Sequence, residues 1–285
     1  MTGGKTHKNL QYSIRLLRLR DWWDKWLHLA GAAFLFWIDS GRIGITEGKF
    51  IAYIAAVIFL LIGGYAMNAA ADFPQDRGAG RTDPPQQKHS LILSIVSLVI
   101  GLILILIITN EALPLMITAA TILLGLEYSL LPMRFKERGI WGPITGSVIQ
   151  KPALFLIFIA ILSVWNWLSL ILLAWLFFSS MLGMLGHQVL DYKNDLKTGV
   201  HTFAVRYSPR LALILSIVFA ALISMTIMVP LIFYSFLKAL TIMCLLVVCS
   251  SVYAIKGLKS IKKIREAVSH KNSSTFTYPS YPNLE

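Results

Sequence analysis

Uncharged apolar stretches long enough to cross a bilayer recur along this chain, at 50–67, 91–109, 168–185, 211–234 and 239–255. About 20 apolar residues in a helix span a hydrocarbon core roughly 30 Å thick. Within that core no water is present to satisfy backbone N–H and C=O groups, so a segment of this kind is a helix. Three weaker stretches fit the same reading: 22–38 with Asp24 and Lys25 near its entrance, 112–131 carrying Glu127, and 153–167. The expectation is an all-α membrane protein, a bundle of about eight to nine transmembrane helices with a polar cavity on its cytoplasmic side. Composition agrees: 56% of residues are hydrophobic and 14% charged, against about a quarter charged in soluble domains.

The formal net charge of +12 could point to nucleic acid, but its distribution assigns it to topology. Basic residues precede the first span and follow the second, fourth, sixth and last, while the alternate connections carry little beyond Arg42, Lys49 and Lys238. The positive-inside rule then places both termini and three long connections in the cytoplasm. Those connections are 68–90, 132–152 and 187–210, read here as loops of about twenty residues, which is where function should lie. Cys244 and Cys249 both fall in the last apolar stretch and offer neither a disulfide framework nor a metal site. Residues 1–270 read as one transmembrane domain. A basic amphipathic surface helix is expected around 255–268, and the Ser-, Thr-, Tyr- and Pro-containing tail 271–285 is expected to be disordered.

Acidic side chains are concentrated where two spans end. Asn68, Asp72 and Asp76 follow the second span at intervals of four, with Pro74 predicting a bend or an unwound turn before Asp76. Asp191 and Asp195 follow the sixth span at the same interval, which projects both from one helical face. One Asp-x-x-x-Asp is commonly a solvated face that pairs with nearby Lys or Arg. Two copies at matching span ends are another matter, because carboxylates gathered beside a membrane repel unless cations balance them. Hard oxygen ligands suit magnesium, which takes one or two carboxylates and shares its other positions with water and phosphate oxygens.

The two runs, in this order and placement, resemble the UbiA superfamily of intramembrane prenyltransferases. Asn68, Asp72 and Asp76 match its first motif, and Asp191, Asp195 and Gly199 match its second. The stretch Thr202–Phe203–Ala204–Val205–Arg206 is similar to the family's continuation, and Tyr128 through Lys136 is similar to its tyrosine, proline and basic cluster after the fourth helix. The resemblance implies that Asp72, Asp76, Asp191 and Asp195 hold Mg2+, two ions bridging to an isoprenyl diphosphate, with Asp72, Asp191 and Asn68 as catalytic residues. It also implies diphosphate contacts from Asn68, Arg77, Arg134, Lys136, Lys193 and Lys197, and prenyl or acceptor contacts from Tyr65 and Tyr128. The partners so implied are an isoprenyl diphosphate, a lipophilic acceptor and the bilayer, with no nucleic acid. Ala69 and the stretch 81–85 depart from the family pattern and leave the acceptor open. Two other readings stand beside prenyl transfer: a membrane terpene cyclase that uses the same diphosphate without an acceptor, and an ion-coupled transporter, whose coupling acids should lie within broken helices near the bilayer midplane rather than at span ends as here. His187 and His201 lie in the third connection, where a histidine is more often solvated or hydrogen-bonded than a helper in proton transfer, and Glu127 stands equally as a partner for Arg134 or Lys136 and as a substrate contact.

Overall fold

The computed structural model of the chain describes residues 16–17, 19–41, 45–78 and 86–251, and these are helical almost throughout. In order the helices are α1 (Leu19–Asp39), α2 (Glu47–Gly78), α3 (Gln87–Ile108), α4 (Ala112–Ser129), α5 (Trp141–Gln150), α6 (Pro152–Leu162), α7 (Trp167–Thr198), α8 (Phe203–Arg206), α9 (Pro209–Met228), α10 (Pro230–Phe233) and α11 (Phe236–Ser251), with a 3-10 turn at Phe135–Glu137. Among the described residues five helices are long and apolar enough to cross a membrane, and a sixth span results if α5 and α6, bent by 40° at Lys151, are taken together. That is fewer than the eight to nine expected. The difference lies in α1, whose apolar face is interrupted by buried Asp24, Lys25 and His28, and in α11, which is short and reaches the edge of the described residues. The expected surface helix at 255–268 and the tail 271–285 lie outside the described residues.

The described residues of the three connections read as loops are largely helical. Helices α2 and α7 each run for 32 residues. At 1.5 Å per residue that is about 48 Å, well beyond a core of roughly 30 Å, so their last turns project past the membrane and carry the acidic motifs on rigid backbone. The connection 132–152 holds the 3-10 turn and all of α5.

Close packing of α2 on α3 depends on small residues. A Cβ built on Gly63 would lie 2.6 Å from Leu98 Cγ and 3.2 Å from the Leu98 backbone nitrogen, and one on Gly101 would lie 2.9 Å from Leu60. Ser94 Oγ donates to the Gly63 carbonyl at 2.8 Å across the same seam. Small-residue contacts and interhelical hydrogen bonds are what hold helices together in lipid. Gly63→Val is therefore expected to destabilise the bundle by about 1–3 kcal/mol, seen as a lower melting temperature in detergent. A melting temperature equal to that of the native chain would remove this seam from the account.

The core is aromatic and aliphatic, with Tyr53, Phe36, Phe155, Phe158 and Trp175 fully buried. At the end away from the acidic motifs Asp39 accepts from Asn166 Nδ2 at 3.1 Å and pairs with Lys238, tying the ends of α1, α7 and α11. Asn166 also caps α7 by exchanging hydrogen bonds with Ser169.

Candidate active site

The final turns of α2 place Asn68, Asp72 and Asp76 at successive intervals of four, one face of a continuous helix. Pro74 lies inside it, and α2 continues through it to Gly78. A proline supplies no N–H to the carbonyl four residues back. Here that carbonyl belongs to Ala70, and Gln87 Nε2, at the start of α3, donates to it at 3.1 Å. The repair keeps Asp76 in helical register with Asp72. At the end of α7, Gly199 adopts φ +70° and closes the helix, with the Val200 N–H donating to the Asp195 carbonyl at 2.9 Å. A left-handed residue at this position favours glycine. The chain then turns back, and Thr202 Oγ1 donates to Asp195 Oδ2 at 3.1 Å.

Both helix ends face one cavity of about 350 Å³, lined by Asp72 and Asp76 from α2 and by Asp191 and Asp195 from α7. The turn between α4 and α5 closes one side. Lys136, buried with 7% of its surface exposed, forms an ion pair with Asp72 and lines the cavity. Arg134 reaches the same carboxylate at 3.4 Å, donates to Gln75 Oε1 at 2.6 Å and pairs with Glu137 at 2.8 Å. A buried ammonium needs a carboxylate or equivalent partner, so Lys136 fixes the orientation of Asp72. Asp191, by contrast, lines the cavity with no hydrogen bond or ion pair to any described residue.

Polarity changes with depth. One turn inward from Asp72, Asn68 Oδ1 accepts from Ser129 Oγ at 3.3 Å. Tyr128 and Gln188 line the same zone, as does Tyr65, whose ring centroid lies 5.3 Å from Lys25 Nζ. Gln188 is buried, and its amide oxygen receives no hydrogen bond from any described residue. Leaving such a group unmet costs about 1–3 kcal/mol. Leu60 lies twelve residues before Asp72, about 18 Å deeper along α2. There the lining is Leu60, Leu61, Leu98, Ile122, Leu126 and Leu154. An acidic, cation-rimmed mouth thus leads into an apolar channel, a shape that suits an amphiphile with a charged head and a hydrocarbon tail.

The sequence model of the UbiA prenyltransferase family matches residues 26–275. The chain belongs to the UbiA prenyltransferase family. Its fold is similar to that of a UbiA homolog from Archaeoglobus fulgidus bound to GPP and Mg2+, with TM-score 0.63 and 19% identity over 86% of each chain. It is also similar to a UbiA homolog from the same organism bound to DMAPP and Mg2+, with TM-score 0.62 and 19% identity over 85% of each chain. A structure of digeranylgeranylglyceryl phosphate synthase in membranes matches at TM-score 0.58 and 17% identity, covering 92% of this chain and 94% of that one. At these identities the likeness is one of fold. No curated protein matches the sequence.

In this UbiA-family chain the cavity brings together Asn68, the four aspartates, Tyr65, Tyr128 and Lys136. Arg134 stands behind Asp72 rather than on the lining. Arg77, Lys193 and Lys197, offered by the sequence as diphosphate contacts, are exposed and do not line it. Glu127 is exposed and also outside the lining; Arg134 and Lys136 are taken up by Glu137 and Asp72 instead. His187 lines the cavity and His201 does not. Sequence reasoning gave no site role to Gln188, Ser129, Asn194 or Thr202, which line the cavity, and left Lys25 as a charge at a span entrance. A signal for Lys25 was present: it shares the helical face of Trp22 and Leu29, both buried.

Among the described residues no three His, Cys, Asp or Glu side chains converge closely enough to hold a metal by themselves. The donor set nevertheless fits magnesium, which needs only one or two carboxylates and fills its remaining positions with water and phosphate. Asp191, with no partner among the described residues, and Asp76 and Asp195 are hard oxygen donors on facing walls. The absence of thiolates and the dispersal of the acids argue against a closed tetrahedral site.

Proposed function

We propose that this UbiA-family chain is a magnesium-dependent intramembrane prenyltransferase that ionises an isoprenyl diphosphate and transfers the prenyl group to a lipophilic acceptor. The observation that carries this reading is the meeting of two Asp-x-x-x-Asp helix ends on one cavity that continues into an apolar channel. The homologues bound to GPP or DMAPP with Mg2+ support the donor class. Asp76, Asp191 and Asp195 would hold the metal, together with Asp72 once Lys136 and Arg134 share their charge with phosphate. Magnesium, when bound, supplies positive charge against the leaving group.

The chain's own residues do the rest. Lys136 binds and orients the diphosphate at the mouth, and Arg134, behind Asp72, adds positive charge to that wall. The apolar wall from Leu126 to Leu60 holds the tail and keeps water from the allylic carbon as its C–O bond breaks and pyrophosphate departs with the electron pair. Tyr65 and Tyr128 line the cavity between the acidic mouth and the apolar wall, and their ring faces would stabilise the positive charge that then develops. A bond forms from the acceptor to that carbon, and the acceptor gives up a proton, for which Asp191 is the candidate base by position. The basic residues flanking the acidic helix ends support a cytoplasmic mouth and cytoplasmic termini.

The test uses purified protein in detergent with dimethylallyl, geranyl, farnesyl and geranylgeranyl diphosphates, alone and with candidate lipophilic acceptors added in turn, with Mg2+ or with EDTA, and reads pyrophosphate release and product mass. Magnesium-dependent release is expected, with a product equal in mass to acceptor plus prenyl group less one proton. A cyclic hydrocarbon formed from donor alone would replace transfer by cyclisation. No release from any donor would overturn the enzyme reading in favour of ion-coupled transport.

A further inference from the structure

Gln188 lies on α7 three residues before Asp191 and seven before Asp195, a spacing that puts the three side chains on one helical face. It lines the cavity with 7% of its surface exposed, and its amide oxygen has no hydrogen-bond donor among the described residues. Among the described residues of the wall none donates to it. Its neighbours on the face are carboxylates, and across the cavity the Ser129 hydroxyl is directed to Asn68. An amide oxygen only accepts, and ionised diphosphate brings further acceptors, so the diphosphate cannot satisfy it.

What the oxygen lacks is a hydrogen-bond donor delivered beside Asp191. A magnesium ion held by one or two carboxylates keeps several of its waters, and each of those waters is such a donor. We infer that Gln188 is a positioning residue for the metal, accepting a hydrogen bond from a magnesium-bound water and thereby fixing the ion's place on the α7 wall. The inference rests on the magnesium-dependent reading above and adds a residue that neither acidic motif contains. Partners of this kind commonly govern metal affinity by 10–100-fold.

The test is calorimetric titration of Mg2+ into the full chain in detergent, with inorganic pyrophosphate present, for native protein, Gln188→Met and Gln188→Glu. Methionine keeps the length of the side chain and removes the acceptor; glutamate keeps an accepting oxygen. Gln188→Met is expected to bind Mg2+ about tenfold more weakly, and Gln188→Glu at least as tightly as native protein. Melting temperatures measured without Mg2+ identify a variant that has lost its fold, and if methionine is not tolerated the glutamate variant decides alone. Native affinity in Gln188→Met, or weak binding in a folded Gln188→Glu, would overturn the inference. Absence of Mg2+ binding to the native chain would instead overturn the metal-dependent reading beneath it, a result distinct from weakened binding in one variant.

Discussion

Alanine at Asp72 or at Asp191 is expected to reduce magnesium-dependent pyrophosphate release by at least about 100-fold, the scale on which removal of one preorganised charge at a developing anion is felt. The two losses should differ in origin. Asp191 has no partner among the described residues, so its removal takes a carboxylate from the site and leaves the surrounding structure in place. Asp72 is held by Lys136 and Arg134, so its removal also takes the carboxylate away from a buried ammonium on the cavity wall. Breaking such a pair from one side costs about 3–5 kcal/mol. Asp72→Ala should therefore lower the melting temperature as well as the activity, and Asp191→Ala should lower activity alone. Activity within threefold of native in either variant would remove that aspartate from the machinery, and equal melting temperatures in both would contradict the role given to the Lys136–Asp72 pair.

Gly142→Ala is expected to raise the KM for isoprenyl diphosphate about tenfold although the residue touches no part of the cavity. A Cβ at Gly142 would stand 2.8 Å from the Lys136 carbonyl oxygen and 3.2 Å from that of Phe135. Both obstacles are backbone, so the 3-10 turn must move, and Lys136 and Arg134 move with it. Misplacing a binding group by a fraction of an ångström is enough for a change of this size, since about 1 Å can cost 100-fold. The matching control is Lys136→Met with Gly142→Ala. If the glycine acts by positioning that ammonium, the double variant should be no worse than Lys136→Met alone, as residues working through one group are not additive. Two independent, multiplying losses in kcat/KM would show that α5 affects the site by another route.

Much of the site was legible because acids are costly beside a membrane. Asp72, Asp76, Asp191 and Asp195 stand out against apolar helices, and an interval of four fixes their common face without knowledge of the partner helix. The cations were less legible. Arg77, Lys193 and Lys197 are as near to the motifs in sequence as Lys136 is far from them, yet they are exposed and off the lining, whereas Lys136 reaches Asp72 from 64 residues away. Long basic side chains on a projecting helix can face water on any side, and nothing local says which of them turns inward. The 132–152 connection was misread for a related reason: a short helix such as α5, with glycine, proline and threonine on its buried face, lacks the apolar run that marks a span.

By itself the sequence determined that this chain lives in a bilayer as helices, because hydrocarbon leaves the backbone of an apolar segment no other way to satisfy its hydrogen bonds. It determined as well that two helix ends carry paired carboxylates. Only the tertiary structure decided that the two ends share one cavity, that Lys136 rather than the neighbouring cations holds Asp72, and that Lys25 and Gln188 join the lining. Helical periodicity is a local property that orients a side chain about its own axis. Which helix stands opposite is set by contacts such as Leu98 on Gly63 and the turn at 135–137 on Gly142, between residues far apart in the chain.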